Sequence, residues 1–291
     1  MNRVEALHYI TAQLSRGELI FPTNVNASLK IQQALDDPNC SIETAAKLVI
    51  TEPLLAARLV AIANSVAYSR FGGGVTNVKT AVTVLGFGTM RSIVVSVVIR
   101  QLNNAISDPA IRQLANQLWE HSAHVAALAH VLARKVSSID CETAMFAGIV
   151  HEVGGLYLLS RAQEFPALLD IDNTTKVSDV SALTDPLDEP PHVLIGRAVL
   201  HKLMVPKTVI TAMEALWYGV PAIPPKTLGD TLLLANQLTP IASPLESTAL
   251  VAAIDGAAAP VIDFAVGDKT LSGILEESEE EIRSLTAALL L

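Results

Sequence analysis

His151 and Glu152 are adjacent in the stretch AMFAGIVHEVGGLYLL, so an imidazole and a carboxylate stand side by side just before two glycines. Nitrogen and oxygen donors of this kind suit divalent transition metals, and metal-assisted chemistry is the first activity the chain suggests. Other reactive side chains make weaker cases. His121, His124 and His130 share one apolar stretch; on a helix, His124 lies roughly 60° around from His121, at the edge of any pocket His121 enters. Ser122, Ser160 and Cys141 have no base and orienting acid nearby in sequence to form a nucleophilic triad. Arg70 precedes Gly72, Gly73 and Gly74, whose amides could turn toward an anion. The run lacks both phosphate-loop spacings and reads as a connection between helices. His192 follows Pro190 and Pro191 at a helix start, a place for capping rather than chemistry.

The elements that must carry these residues read as helices from end to end. Asn2 caps a first helix that stops at Gly17, Asn24 a second through Leu35, and Ser41 a third. Pro53 opens PLLAARLVAIANSVAYS at the first helical position, where its missing N–H costs nothing. Asn77 caps a short helix to Gly86, and an apolar helix runs on through Leu102. Asp108-Pro109 starts one long helix through Ser137 with Leu114, Leu118, His121, Val125, Leu128 and Leu132 on one stripe. Ser138 or Asp140 begins the helix bearing His151, which Gly154 and Gly155 bend or end. Residues 170–191 are polar, acidic and proline-bearing and read as a surface loop. Helices resume at 191–204, 206–218 and 227–238. The tail EESEEEIRSLTAALLL forms an amphipathic helix with acidic residues at its start, packed on its own domain or on a second copy.

Composition narrows the function classes. The chain has 291 residues, 51% hydrophobic but only 4% aromatic, so the core must be built from Ala, Leu, Val and Ile. A net charge of −9 with no Lys/Arg cluster argues against nucleic acid as a partner. Cys40 and Cys141 are isolated and no secretory leader is evident, which points to a reduced cytoplasmic compartment. The most apolar run, Ile93 to Ile99, is far short of the roughly 20 residues that span a bilayer, so no membrane role is expected.

Three separated blocks resemble one family. Pro53-Leu54-Leu55, Ala63-Asn64-Ser65, Ala67-Tyr68 and Leu85-Gly86 form the first, Trp119 to Ser122 the second, and Ala147-Gly148 with His151 the third. In order and spacing the chain resembles, over about residues 20 to 240, the HDOD domain, a bacterial signalling module related to the HD phosphohydrolases. The resemblance implies an all-α fold of two packed bundles: residues 1–105 an N-terminal bundle, and 106–291 a degenerate HD-like bundle with the C-terminal amphipathic helix.

It also implies a site. An HD phosphohydrolase holds metals through a His on the first long helix, a His-Asp pair on the next and an Asp on a later helix. Carried onto this chain, those positions are His121, His151 with Glu152 in place of Asp, and Asn236 in place of the last Asp. The extra methylene of Glu moves its carboxylate by about 1 to 1.5 Å, and Asn offers a neutral oxygen where a hard cation wants an anion. The family's paired His on a late helix is replaced by Glu214, Trp217 and Tyr218. The reading that follows is a non-catalytic regulatory module with a vestigial metal site at His121, His151, Glu152 and Asn236. No catalytic residue and no cofactor is expected, with one weakly bound divalent transition metal left open. Its partner is a signalling protein or small-molecule ligand, with self-association also open. A metal-dependent phosphohydrolase with a remodelled site, and a homo-oligomeric scaffold, are the alternatives.

Overall fold

The computed structural model describes residues 1–18, 25–35, 37–68, 74–170, 190–219, 222–245 and 262–291. The Asn24 cap, Arg70 with Gly72 and Gly73, and most of the acidic loop 170–191 lie outside the described residues.

Local capping fixes where the first helices begin. In α1 (Arg3–Ser15), Asn2 and Glu5 form a reciprocal capping box. Helix α2 spans Val25–Leu35, and Ser41 caps α3 (Ile42–Ile50) by accepting from the Thr44 amide. Pro53 opens α4 (Pro53–Ala63). That helix stops well before the sequence pattern suggests, because Asn64 turns its side chain to the Val60 and Val75 carbonyls at 2.9 and 2.7 Å and so folds the next segment back. Asn77 caps α5 (Val78–Asn104), which bends at Gly86. There φ is 74°, a conformation open to glycine at little cost.

The second half begins at the Asp108 cap of α6 (Pro109–Leu132), which runs into one π turn, Ala133–Ser137, and stops at left-handed Ser138. Asp140 caps α7 (Cys141–Val150). The expected break at Gly154-Gly155 falls earlier, at His151-Glu152, and both glycines lie inside α8 (Val153–Arg161). They serve packing rather than turning: a Cβ on Gly154 would meet the Gly196 Cα at 2.8 Å. Helices α9 (Pro191–Lys202), α10 (Lys207–Tyr218) and α11 (Leu228–Leu238) follow. The tail EESEEEIRSLTAALLL forms the one expected helix, α13 (Glu279–Leu290), preceded by a short α12 (Leu271–Glu276) and a small antiparallel ribbon pairing Ala265–Val266 with Lys269–Thr270. The break between α12 and α13 is held by Ser278, whose hydroxyl donates to the Ile274 carbonyl at 2.6 Å and accepts from Lys135 at 2.7 Å.

The protein is all-α, with a core that spans both halves and is rich in small aliphatic side chains. Ala115, Ala123, Ala126, Ala127, Ala129, Ala144 and Ala147 are fully or almost fully buried where α6 crosses α7. The crossing is closest at Gly148, where an added Cβ would lie 2.4 Å from the Ala126 Cα, so only glycine fits. Buried Arg58 stacks over Trp119, 6.0 Å from the ring centroid, and donates to Ser96 at 3.3 Å. The tail helix α13 buries Ile282, Leu285 and Leu289, packing on α6 and α4 of its own chain. Against the short apolar run seen in sequence, Val78–Asn104 and Cys141–Arg161 are both long and apolar enough to cross a membrane. Their apolar windows are 67% and 61% buried inside the fold, as expected of core helices.

Candidate functional site

The Gly148 contact sets the site, because it brings the middle of α6 against the end of α7. His121 projects from α6 and is 1% exposed. His151 is the residue that closes α7. Their Nε2 atoms lie 3.2 Å apart, with ring centroids separated by 5.2 Å. Asn236 of α11 places its Oδ1 3.0 Å from His121 Nε2. That helix is positioned by the Thr227/Asp230 capping box at its start. The chain after α11 supplies the wall opposite: the Ile241 carbonyl reaches His121, and Ser243 donates to Glu152 Oε1 at 3.1 Å. Thus the structure brings together the four positions carried over from the resemblance.

Backbone carbonyls decide the tautomers. His121 Nδ1 is 2.6 Å from the Ile241 oxygen and His151 Nδ1 is 2.7 Å from the Gly148 oxygen. A carbonyl can only accept, so each Nδ1 carries the proton and each Nε2 presents a lone pair. The two Nε2 lone pairs therefore face each other, with the Asn236 oxygen close by. A cation, a proton or the Asn236 amide turned to present its N–H would each satisfy the facing lone pairs. A proton is disfavoured, because burial first and the His121 ring second hold the His151 pKa down at about 3.

The donor set fits a single ion. One donor atom each from His121, His151 and Glu152 all lie within 4.8 Å of one another. Two Nδ1–H groups anchored on carbonyls are the arrangement that orients metal-ligating imidazoles. The set does not fit a metal pair, which needs bridging anionic oxygens from at least one further carboxylate. Asn236 cannot supply that charge.

The other sequence candidates sit apart from this centre. His124 lies at its edge, 3.1 Å from Thr239 Oγ1, with its pKa lowered by burial and by His121. Ser122 and Ser160 donate to the carbonyls of Leu118 and Tyr157, as helix residues do. Trp217 stacks under the Arg197 guanidinium at 5.5 Å, and Glu214 approaches the same arginine at 3.6 Å. His192 is exposed, and the residue preceding its helix is Pro190, so it is not the cap. Sequence reasoning missed a second convergence, His130 with Cys141 and Glu142, whose donor atoms are also mutually within 4.8 Å. The only trace in the sequence is a histidine late in one helix and a Cys-Glu step opening the next.

Comparison with solved structures gives the same architecture. A protein from Shewanella amazonensis SB2B, provisionally named a metal-dependent phosphohydrolase, superposes with a TM-score of 0.66 at 22% identity over 99% of both chains. An HDOD domain protein of unknown function from Geobacter sulfurreducens gives 0.59 at 20% identity, again over 99% of both. A protein from Marinobacter aquaeolei VT8, provisionally named for signal transduction, gives 0.50 at 18% identity over 91% of this chain and 59% of that one. No curated protein matches the sequence. The HDOD domain profile matches residues 21–217, the two structures that align over their whole lengths share the all-α fold, and this chain belongs to the HDOD domain family.

Proposed function

We propose that the chain is a regulatory module that retains the centre of the HD phosphohydrolases as a one-ion binding position and does not use it for hydrolysis. The observation behind this is the convergence of His121 and His151 Nε2 with a neutral Asn236 oxygen, where a two-metal centre would need a carboxylate. When bound, a divalent ion would supply Lewis-acid character there. His121 and His151 would hold it, with Glu152 the one anionic donor in reach among the described residues. The chain's own contribution is orientation: two carbonyls fix the rings, and Ser243 holds the carboxylate. With one carboxylate against a divalent charge, the site holds an ion loosely, which suits sensing or positioning better than turnover. Its partner in this reading is a signalling protein or a small ligand met in the cytoplasm by a soluble protein. The provisional name of the Marinobacter protein supports the signalling sense, and that of the Shewanella protein supports the hydrolytic alternative.

Titration with Mn2+, which binds thiolates poorly, tests this reading directly. One ion should bind to the wild type and be lost in His151→Ala. Incubation with Mn2+, Mg2+ or Ni2+ and a phosphodiester, a nucleotide or a cyclic dinucleotide should give no turnover. Glu152→Asp combined with Asn236→Asp should tighten the metal. Robust hydrolysis by the wild type, lost in His151→Ala, would establish the enzyme instead.

A further inference from the structure

We propose that His130, Cys141 and Glu142 form a zinc site, separate from the His121/His151 centre, that ties α6 to the start of α7. The three residues come from the late part of α6 and the first turn of α7, and all three donor atoms lie within 4.8 Å of one another. His130 Nε2 is 3.7 Å from Glu142 Oε1, and Cys141 Sγ is 4.0 Å from the same oxygen. A tetrahedral zinc with bonds of about 2.0–2.1 Å to N and O and 2.3 Å to S has donor–donor edges of roughly 3.3 to 3.8 Å. Closing the triangle onto an ion takes shifts of a few tenths of an ångström on the two edges that meet at Glu142 and of up to about 1 Å between His130 and Cys141. Nitrogen, sulfur and oxygen donors together select a borderline ion such as zinc over magnesium or calcium. A thiolate and a carboxylate match its two charges.

The surroundings are those of a metal site as well. Glu142 is held by the Tyr68 hydroxyl at 2.7 and 2.6 Å to its two oxygens and by Thr89 at 2.5 Å to Oε2. Oε1 thus keeps a lone pair on the side facing His130 and Cys141. His130 is 2% exposed, and its Nδ1 has no hydrogen-bond partner among the described residues. The Glu281 carboxylate of α13, itself paired with Arg134, stands 3.7 Å from that nitrogen. Metal-ligating imidazoles regularly offer their second nitrogen to a carboxylate, and a small advance of Glu281 would complete that contact. A cleft of about 300 Å3 lined by Asp140, Thr143 and Arg91 reaches Glu142. Three protein donors leave a fourth position for water or an incoming group. Binding takes the thiolate, so the thiol proton, and any on His130, pass to solvent.

The test uses the full chain with Co2+ and Zn2+ as probes. Co2+ should give an intense near-ultraviolet thiolate-to-metal band that survives His151→Ala and is absent in Cys141→Ser. In the unmutated protein, Zn2+ should slow alkylation of Cys141 by iodoacetamide about tenfold or more, as expected for an occupied site, and leave Cys40 unchanged. This comparison needs no variant to fold, and both cysteines are free and partly buried. Zinc bound with Cys141 as reactive as before, a cobalt spectrum without a thiolate band, or a band that persists in Cys141→Ser would each overturn the site. None of these outcomes bears on Mn2+ binding at His121 and His151, so the two readings stand or fall separately.

Discussion

Helices α6 and α7 carry two buried histidine clusters that face opposite electrostatic surroundings. His121 and His130 are 1% and 2% exposed, yet His151 in the first cluster is held neutral and His130 in the second is held charged. Around His121, the partners are a second imidazole, an amide and backbone carbonyls, and burial pushes His151 down to about 3. Around His130, burial pulls the same way, but hydrogen bonds to Cys141 and Glu142 outweigh it and lift its pKa to about 9. Desolvation alone therefore does not set a histidine's charge; a thiol and a carboxylate close to the ring together reverse it. The first cluster is arranged to receive a cation from solution. The second, without metal, already holds a proton as its cation.

Both clusters depend on the same helix crossing, so the largest effect should come from Gly148→Ala. Its Cβ would meet the Ala126 backbone at 2.4 Å, which cannot move aside as a side chain could. A loss of about 3 kcal/mol, the upper range for overpacking a close contact, should appear in urea unfolding. Mn2+ binding at His121/His151 should fall with it. A variant of wild-type stability would show that the two helices do not approach this closely, and the geometry of both clusters would be in doubt.

Next in size is a pair of matched substitutions that separate the clusters. Glu142→Gln removes the carboxylate that accepts from Tyr68 and Thr89 and faces the His130 cation. His130 is left with only the Glu281 carboxylate, which Arg134 shares, and a loss of about 2 kcal/mol is expected near pH 7, reduced from the fully buried case because Glu142 is 29% exposed. Glu152→Gln should change stability by no more than about 0.5 kcal/mol, since an amide oxygen still accepts from Ser243. Equal effects at the two positions would erase the contrast between them.

How far the sequence disclosed these regions follows from how local each feature is. Caps at Asn2, Ser41, Asn77 and Asp108 lie within three residues of the amides they serve, so residue type alone exposes them. His121, His151, Glu152 and Asn236 were reachable through the family resemblance. The second cluster was not, because Glu142 meets Tyr68 and Thr89 across 74 and 53 residues, and Arg134 reaches Glu281 across 147. No local pattern encodes those distances. Gly154 and Gly155 misled for a related reason: a glycine that ends a helix and one that lets two helices touch look the same in one dimension. Asn64 likewise reads as a helix residue until Val75 is brought beside it.

The two clusters should also shape opposite limbs of the stability–pH profile of the metal-free protein. His130 rises from about 6.5 unfolded to about 9 folded, so its stabilisation is complete below pH 6.5 and is lost as pH climbs through 9. Glu142 and Cys141 on α7, Glu281 with Arg134 beside the ring, and Tyr68 at 6.0 Å between ring centroids are charged or titratable groups that face it. His151 falls from about 6.5 to about 3, so its contribution is present above pH 6.5 and lost as pH falls toward 3. His130→Gln should flatten the alkaline limb, and His151→Ala the acid limb between about pH 6.5 and 5. The second window lies above that of Glu142, whose pKa is lowered by its hydrogen bonds to His130, Thr89 and Tyr68 despite burial. Steepness that survives on the alkaline side in His130→Gln would locate the raised group elsewhere.

Asn236→Asp makes the sharpest comparison, because it sets a second carboxylate beside the imidazoles of His121 and His151. Asn236 is only partly buried, and its Oδ1 already sits 3.0 Å from His121 Nε2. The substitution keeps that oxygen and adds charge with almost no change in volume. Metal-free stability should shift by no more than about 1 kcal/mol, the new charge being shared with a proton taken up by the imidazole pair. Proton affinity and metal affinity should both rise, since a negative oxygen favours either cation. Histidine resonances followed by NMR against pH should move upward by about one unit, and Mn2+ should bind about tenfold more tightly. An unchanged histidine titration with tighter metal would mean that the new carboxylate reaches the ion but not the rings. Tighter proton binding with no gain in metal would mean that the pocket around His121 and His151 admits a proton and nothing larger, and would remove the one-ion reading.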